Sequence, residues 1–109
     1  EVYRDAFAIS VCPTDNIESP TIVGAQAANE LLNITGIKAS FVLTDYNGKV
    51  YISSRSIDEI NVQLIMEALG GGGHLTIAGA QLEHYTIAEV KLMLQQTIDK
   101  MIEEGDIKV

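Results

Sequence analysis

The sequence predicts an α/β domain, a mixed β-sheet with flanking helices in the order β-α-β-β-α-β-α. Three observations predict it. Strand-like runs, such as Phe7, Ile9 and Val11 alternating with smaller residues, recur between helix-like runs. Asn47-Gly48 separates two of the strand-like runs, and both residues tolerate the positive φ of a tight hairpin. Two segments carry apolar residues at helical spacing: Val62, Ile65, Met66 and Leu69, then Val90, Leu94, Ile98 and Met101. The hairpin is antiparallel and the crossovers through helices favour parallel neighbours, so the sheet is expected to be mixed.

Taken in order, Val2 to Cys12 reads as one strand that Pro13 ends, and Thr14 to Glu18 as polar loop. Ser19-Pro20 opens a helix, with serine as N-cap and proline in the first turn, where its missing N–H costs nothing. Val23, Ala27 and Leu31 mark the apolar face of that helix and Gly36 its close. Gly24, Ala25, Ala27 and Ala28 keep its middle slim enough to pack closely on a sheet or on another helix. Ile37 to Asp45 is a strand, and Lys49 to Ser53 returns from the hairpin, releasing Ser54-Arg55-Ser56 as a polar strand exit. Asp58 or Asn61 caps the next helix, which runs from Asn61 to Leu69 and stops at the glycine run Gly70-Gly71-Gly72-Gly73. Leu75 to Leu82 suits a short strand. Thr86 and Glu89 form a capping box, the last helix runs to about Glu104 with Gly105 as its stop, and Ile107 to Val109 adds a tail strand.

Composition bounds the function. The chain has 109 residues, 47% of them apolar and 20% charged, which suits one globular domain over residues 1–109. No apolar window approaches a membrane span, and no signal-peptide pattern opens the chain. A net charge of −8 argues against duplex nucleic acid and anionic lipid as partners, so an anionic ligand must be held by a local site. The single cysteine, Cys12, reads as a buried thiol in a reducing compartment. The chain opens at Glu1 rather than methionine, as expected of a piece of a longer protein.

The glycine run, followed at once by His74, is the candidate site. One glycine suffices to end a helix, so three are left over, and they offer backbone N–H groups with no Cβ in front of them. Arg55 supplies a forked cation for phosphate, flanked by the serine hydroxyls. The two groups lie at opposite ends of the Asn61–Leu69 helix and meet only if the loops fold back. His84 reads as structural or exposed, and the tyrosines as packing. Two histidines without an acidic cluster or cysteine pair make no metal site, and neither a P-loop nor a nucleophile elbow is present. No catalytic residue is assigned. The chain reads as a binding half rather than a complete catalyst.

Ser53-Ser54-Arg55-Ser56, Ile60-Asn61-Val62 with Ile65-Met66, Gly70-Gly71-Gly72-Gly73-His74 and Ala78-Gly79-Ala80 together resemble the DHH-associated domain of DHH-family phosphoesterases. The wording from Ile60 to Gly70 is most similar to the GdpP/YybT-type cyclic-di-AMP phosphodiesterases. The resemblance implies that a separate DHH domain, N-terminal in the same chain, holds Mn²⁺ and hydrolyses cyclic di-AMP to pApA. This domain would bind the cyclic dinucleotide or a short linear nucleotide. Carried over by position, Arg55, Gly71, Gly72, Gly73 and His74 match the substrate-binding residues, with Ser54, Ser56 and Asn61 as further candidates. The fragment itself would hold no cofactor and be inactive alone. It would be a cytoplasmic domain of a parent anchored in the cell membrane, with a homodimer as a further assembly. Ile77 departs from the family, which has a small or polar residue there, so the loop should pack differently. Two rivals stay open: an oligoribonuclease of the nanoRNase type, and a regulatory or dimerisation module in which the slim Gly24–Ala28 face packs a partner.

Overall fold

The structure, a computed structural model, describes residues 1–12, 20–57 and 60–108. Pro13, the Thr14–Glu18 loop, the Ser19 cap, Asp58, Glu59 and Val109 lie outside the described residues. The elements are β1 (Val2–Tyr3), β2 (Phe7–Val11), α1 (Pro20–Leu31), β3 (Ala39–Tyr46), β4 (Lys49–Ser56), α2 (Val62–Ala68), β5 (Gly72–Gly73), β6 (Ile77–Glu83) and α3 (Ile87–Glu104). They build one mixed sheet in the order β1-β2-β3-β4-β6-β5. The predicted α/β class is correct, and β1 and β5 are two short strands beyond the predicted order.

The first strand is split. Arg4 and Asp5 sit at φ 51° and 60°, and Tyr3 turns back opposite Phe7. Aspartate tolerates this conformation but arginine rarely takes it, so the residue types give only a weak turn signal. Contacts with α3 hold it instead. The Tyr3 hydroxyl donates to both carboxylate oxygens of Asp99 at 2.8 and 2.7 Å, and Arg4 Nε donates to Oδ1 at 2.6 Å. The Tyr3 hydroxyl first, then Arg4, keeps the Asp99 carboxyl below the ordinary carboxylate value, while the bond to Asp99 pushes the Tyr3 phenol up. Asp99 therefore stabilises the fold at neutral pH, and that contribution disappears as pH falls through its depressed value, below about 4. Tyr3 works in the other direction: its share is complete below about pH 10 and disappears as the phenol ionises. Thermal unfolding of Asp99→Asn is expected to show a flatter acid limb than the native chain. The difference should be no more than about 1 kcal/mol, because solvent screens the clip.

Strand alternation sorts the side chains into two layers. Phe7, Ile9, Phe41, Leu43, Val50, Ile52, Ala78, Ala80 and Leu82 face α2 and α3, where Ile65, Met66, Val90, Leu94 and Ile98 complete the core. The capping box is present: Thr86 Oγ1 accepts from the Glu89 N–H at 3.1 Å, and Glu89 Oε1 accepts from the Thr86 N–H at 3.0 Å. Gly105 stops α3 in the left-handed conformation at φ 80°. Ile107 enters the core, but residues 107–108 form no strand. Cys12 follows β2 and is half-buried.

The other face of the sheet carries α1. Among its residues of described burial, 22–31, Gly24 and Ala28 are buried, whereas Val23 is 36% exposed, so the expected Val23–Ala27–Leu31 face is rotated. A Cβ on Gly24 would stand 3.0 Å from Ser53 Oγ, and Ser40 Oγ donates to the Ala28 carbonyl at 2.6 Å. The slim face is thus used inside the domain, against a polar strip of β3 and β4. Helix α1 ends at Leu31, and Gly36, at φ 89°, closes the turn that follows rather than the helix itself.

The crossover through α1 leaves β2 and β3 parallel, as expected. The crossover through α2 does not: β4 and β6 are antiparallel, with Arg55 opposite Ile77. Helix α2 has only seven residues, and β5 carries the chain back along its side to the point where β4 ended. The Ser56 N–H then donates to the Thr76 carbonyl at 2.9 Å and the Val62 N–H to the Leu75 carbonyl at 3.0 Å, closing the excursion.

Candidate functional site

Ser53 through Ser56 do not leave the strand; β4 continues to Ser56. Alternation then divides them. Tyr51, Ser53 and Arg55 face the α1 side, whereas Ser54 and Ser56 face the core at 0% and 7% exposure. Ser54 Oγ donates to the Ala78 carbonyl at 2.9 Å, and Ser56 Oγ to the Ile60 carbonyl at 2.6 Å. The structure therefore does not bring Ser54 or Ser56 to the same surface as Arg55. Each hydroxyl ties β4 to a neighbouring segment, and replacing either serine with alanine should cost about 1 kcal/mol of stability by denaturant unfolding. Ligand affinity should not change.

Asn61 is likewise structural in its contacts. It is the N-cap of α2, its Oδ1 accepting from the Leu64 N–H at 3.3 Å.

The glycine run ends α2 with Gly70 at φ 87° and then becomes the edge strand β5. A Cβ on Gly71 would overlap the Gly79 carbonyl oxygen and stand 2.7 Å from Ala80 Cα. One on Gly73 would stand 2.5 Å from Ala78 Cα, at a φ of 145°. Only at Gly72 does no other part of the domain approach within 4 Å without a strained φ as well. Two of the three surplus glycines are thus explained by the close approach of β5 to β6.

The run is not an open cradle of N–H groups either. Gly70 donates to Glu67, Gly71 to Met66 and His74 to Ile77, at 3.1, 2.8 and 2.6 Å. The His74–Ile77 bond fixes the alternation of the ladder, so Gly72 exchanges both bonds with Gly79 and Gly73 turns its N–H and C=O outward. The Gly73 N–H is the one donor of the run left for a ligand.

These residues border a groove of about 690 Å³. Helix α1 covers β3 and β4 on this face and leaves the β6–β5 side open. Arg55 and Gly71, Gly72, Gly73 and His74 all line the opening, with Ser53 and Gly79 on its floor. The chain's return through β5 brings together groups that start from opposite ends of α2. Arg55 is half-buried, and among the described residues its only side-chain bond runs to the Ser54 carbonyl at 2.7 Å. No carboxylate among the described residues pairs with it, and burial alone acts on its proton affinity, lowering it. A partly desolvated cation with no described carboxylate partner, beside an outward N–H and an exposed imidazole, is an arrangement that binds an anion.

Five lining residues on the Arg55 face of β4 and β6 fell outside the predicted set: Tyr51, Ser53, Ile77, Gly79 and Gln81. The period of two along β4 and β6 would have found them, since they share a face with Arg55. Ile77 lies directly opposite Arg55 and is 51% exposed, so its side chain sits on the groove wall. Among the described residues no group of three His, Cys, Asp or Glu side chains stands close enough to hold a metal ion. None of their helices is long and apolar enough to cross a membrane.

Known proteins resemble the chain in sequence and in fold. The chain is 48% identical over 100 residues to the cyclic-di-AMP phosphodiesterase PdeA of Listeria monocytogenes, covering 91% of this chain and 15% of that protein. It is 42% identical over 106 residues to the cyclic-di-AMP phosphodiesterase GdpP of Bacillus subtilis, covering 95% and 16%. The chain thus spans about one sixth of the length of these curated relatives. Among solved structures, an exopolyphosphatase-related protein of Bacteroides fragilis has the same fold, with a TM-score of 0.79 at 24% identity over 93% of this chain and 31% of that one. The DHHA1 domain pattern matches residues 6–104, and the chain belongs to the DHHA1 domain family.

Proposed function

We propose that this domain is the substrate-holding part of a phosphodiesterase that converts cyclic di-AMP to pApA. The half-buried Arg55, facing the groove without a carboxylate partner among the described residues, carries the proposal. In this reading Arg55 and the Gly73 N–H hold a phosphate of the nucleotide, and His74 donates to the same phosphate or stacks on a base. Kinship with PdeA and GdpP, both named as cyclic-di-AMP phosphodiesterases, supports the substrate class.

Bond cleavage belongs to a DHH domain elsewhere in the same chain, whose Mn²⁺ ions would polarise the phosphodiester and activate water. The described residues of this domain do not fit such a metal site, so its own part is to bind and orient. The proposal places the domain on the cytoplasmic side of a membrane-anchored parent. Titrating the ¹⁵N-labelled chain with cyclic di-AMP and pApA tests it. Saturable shifts are expected at Gly73, His74 and the Arg55 side chain. Shifts scattered over the surface, or none, would overturn the reading.

A further inference from the structure

We propose that Gln81 reads the nucleobase at the end of the groove away from Arg55; this rests on the reading of the Arg55 end as the phosphate site. The register of β4 and β6 sets three rows across the groove face: Arg55 opposite Ile77, Ser53 opposite Gly79, and Tyr51 opposite Gln81. The middle row is small, so the floor is low between two higher walls. Arg55 lies four steps from Tyr51 along the strand, roughly 13 Å. That is about the reach of a mononucleotide from its phosphate to the far edge of its base.

The groove also has a polarity. Beyond Gln81, Lys49 and Glu83 form an ion pair at 3.4 Å in the next row of the same face. The Glu83 carboxylate there offsets the Lys49 cation, so that end offers a phosphate no uncompensated charge, whereas no carboxylate among the described residues offsets Arg55. A nucleotide is therefore oriented with its phosphate at Arg55 and its base at Tyr51 and Gln81.

Gln81 is exposed and lines the groove, and its carboxamide makes no hydrogen bond to another described residue. An amide offers one acceptor and donors side by side. Adenine presents an adjacent acceptor and donor at N7 and N6, and glutamine meets them with two bonds. Guanine presents two acceptors on the same edge, so only one of the two bonds survives. Tyr51, half-buried directly across from Gln81, supplies an aromatic wall beside the base.

Titrations of the chain with AMP, GMP and ribose 5-phosphate, followed by NMR, test this. The native chain is expected to bind AMP about tenfold more tightly than GMP. Gln81→Ala should lower AMP affinity to the GMP level and leave ribose 5-phosphate unchanged. Gln81→Glu, which lacks the donor, should do the same or more. An unchanged AMP-to-GMP ratio in Gln81→Ala, or an equal loss for all three ligands, would overturn the role of Gln81. A separate result, AMP binding indifferent to Arg55→Ala, would overturn the phosphate reading beneath it.

Discussion

Gly73→Ala is expected to unpair β5 from β6 and destabilise the domain by about 2–3 kcal/mol, through overpacking and a left-handed φ that alanine resists. The added methyl would stand 2.5 Å from both Ala78 Cα and the Ile77 carbonyl oxygen, backbone atoms that cannot swing aside. Gly71→Ala should cost a similar amount for one of these reasons only, since its Cβ meets the backbone of Gly79 and Ala80 without a positive φ. Gly72→Ala is the internal control. Nothing lies within 4 Å of its Cβ, so its stability should stay within about 1 kcal/mol of the native chain. Denaturant unfolding of the three variants, with hydrogen exchange at the Gly72 N–H, reads the difference. Equal tolerance of all three would mean that the glycines serve the ligand alone and that β5 does not pack as closely as the structure has it. His74 is carried on the same segment, so nucleotide binding should fail together with stability in Gly71→Ala and Gly73→Ala.

Much of the architecture could be read from local chemistry. The Asn47-Gly48 hairpin, the Thr86–Glu89 capping box, the Asn61 cap and the Gly105 stop each rest on residues whose backbone or side-chain preference has one good outlet. What was not legible depends on contacts distant in sequence. The turn at Arg4-Asp5 exists because Asp99, more than ninety residues away, holds Tyr3 and Arg4. The buried face of α1 depends on which small residues meet Ser53 and Ser40 across the sheet.

At the site, Arg55 and the Gly71–His74 run do share one groove, but the sequence reading ends the strand too early. Placing Ser54, Arg55 and Ser56 in a loop let all three converge on a ligand. Keeping them in β4 sends the serines into the core and leaves Arg55 with Ser53. The glycine run misled in a related way. Its lack of side chains suggested a nest of donors, whereas the end of α2 takes the Gly70 and Gly71 N–H groups, the ladder takes that of Gly72, and the missing Cβ atoms bring β5 against β6.

Arg55→Ala is expected to separate binding from stability. A hydrogen bond to a charged group contributes about 1.5–3 kcal/mol when its partner is present, so nucleotide affinity should fall roughly 10- to 150-fold. Stability should hold or rise slightly, because the guanidinium is partly desolvated and its one side-chain bond among the described residues is to the neighbouring Ser54 carbonyl. Opposite signs for the two measurements mark a group retained for a ligand at some cost to the fold. Arg55→Lys divides the effect further: it keeps the charge and gives up the planar fork, so affinity should fall by about tenfold if phosphate is met by two parallel bonds. Little loss in the lysine variant would mean that charge alone matters there. Calorimetric titration with AMP and thermal unfolding of the same preparations measure both quantities. If Arg55→Ala lowers stability and leaves affinity intact, the arginine supports the strand, and the groove must hold its ligand by other groups.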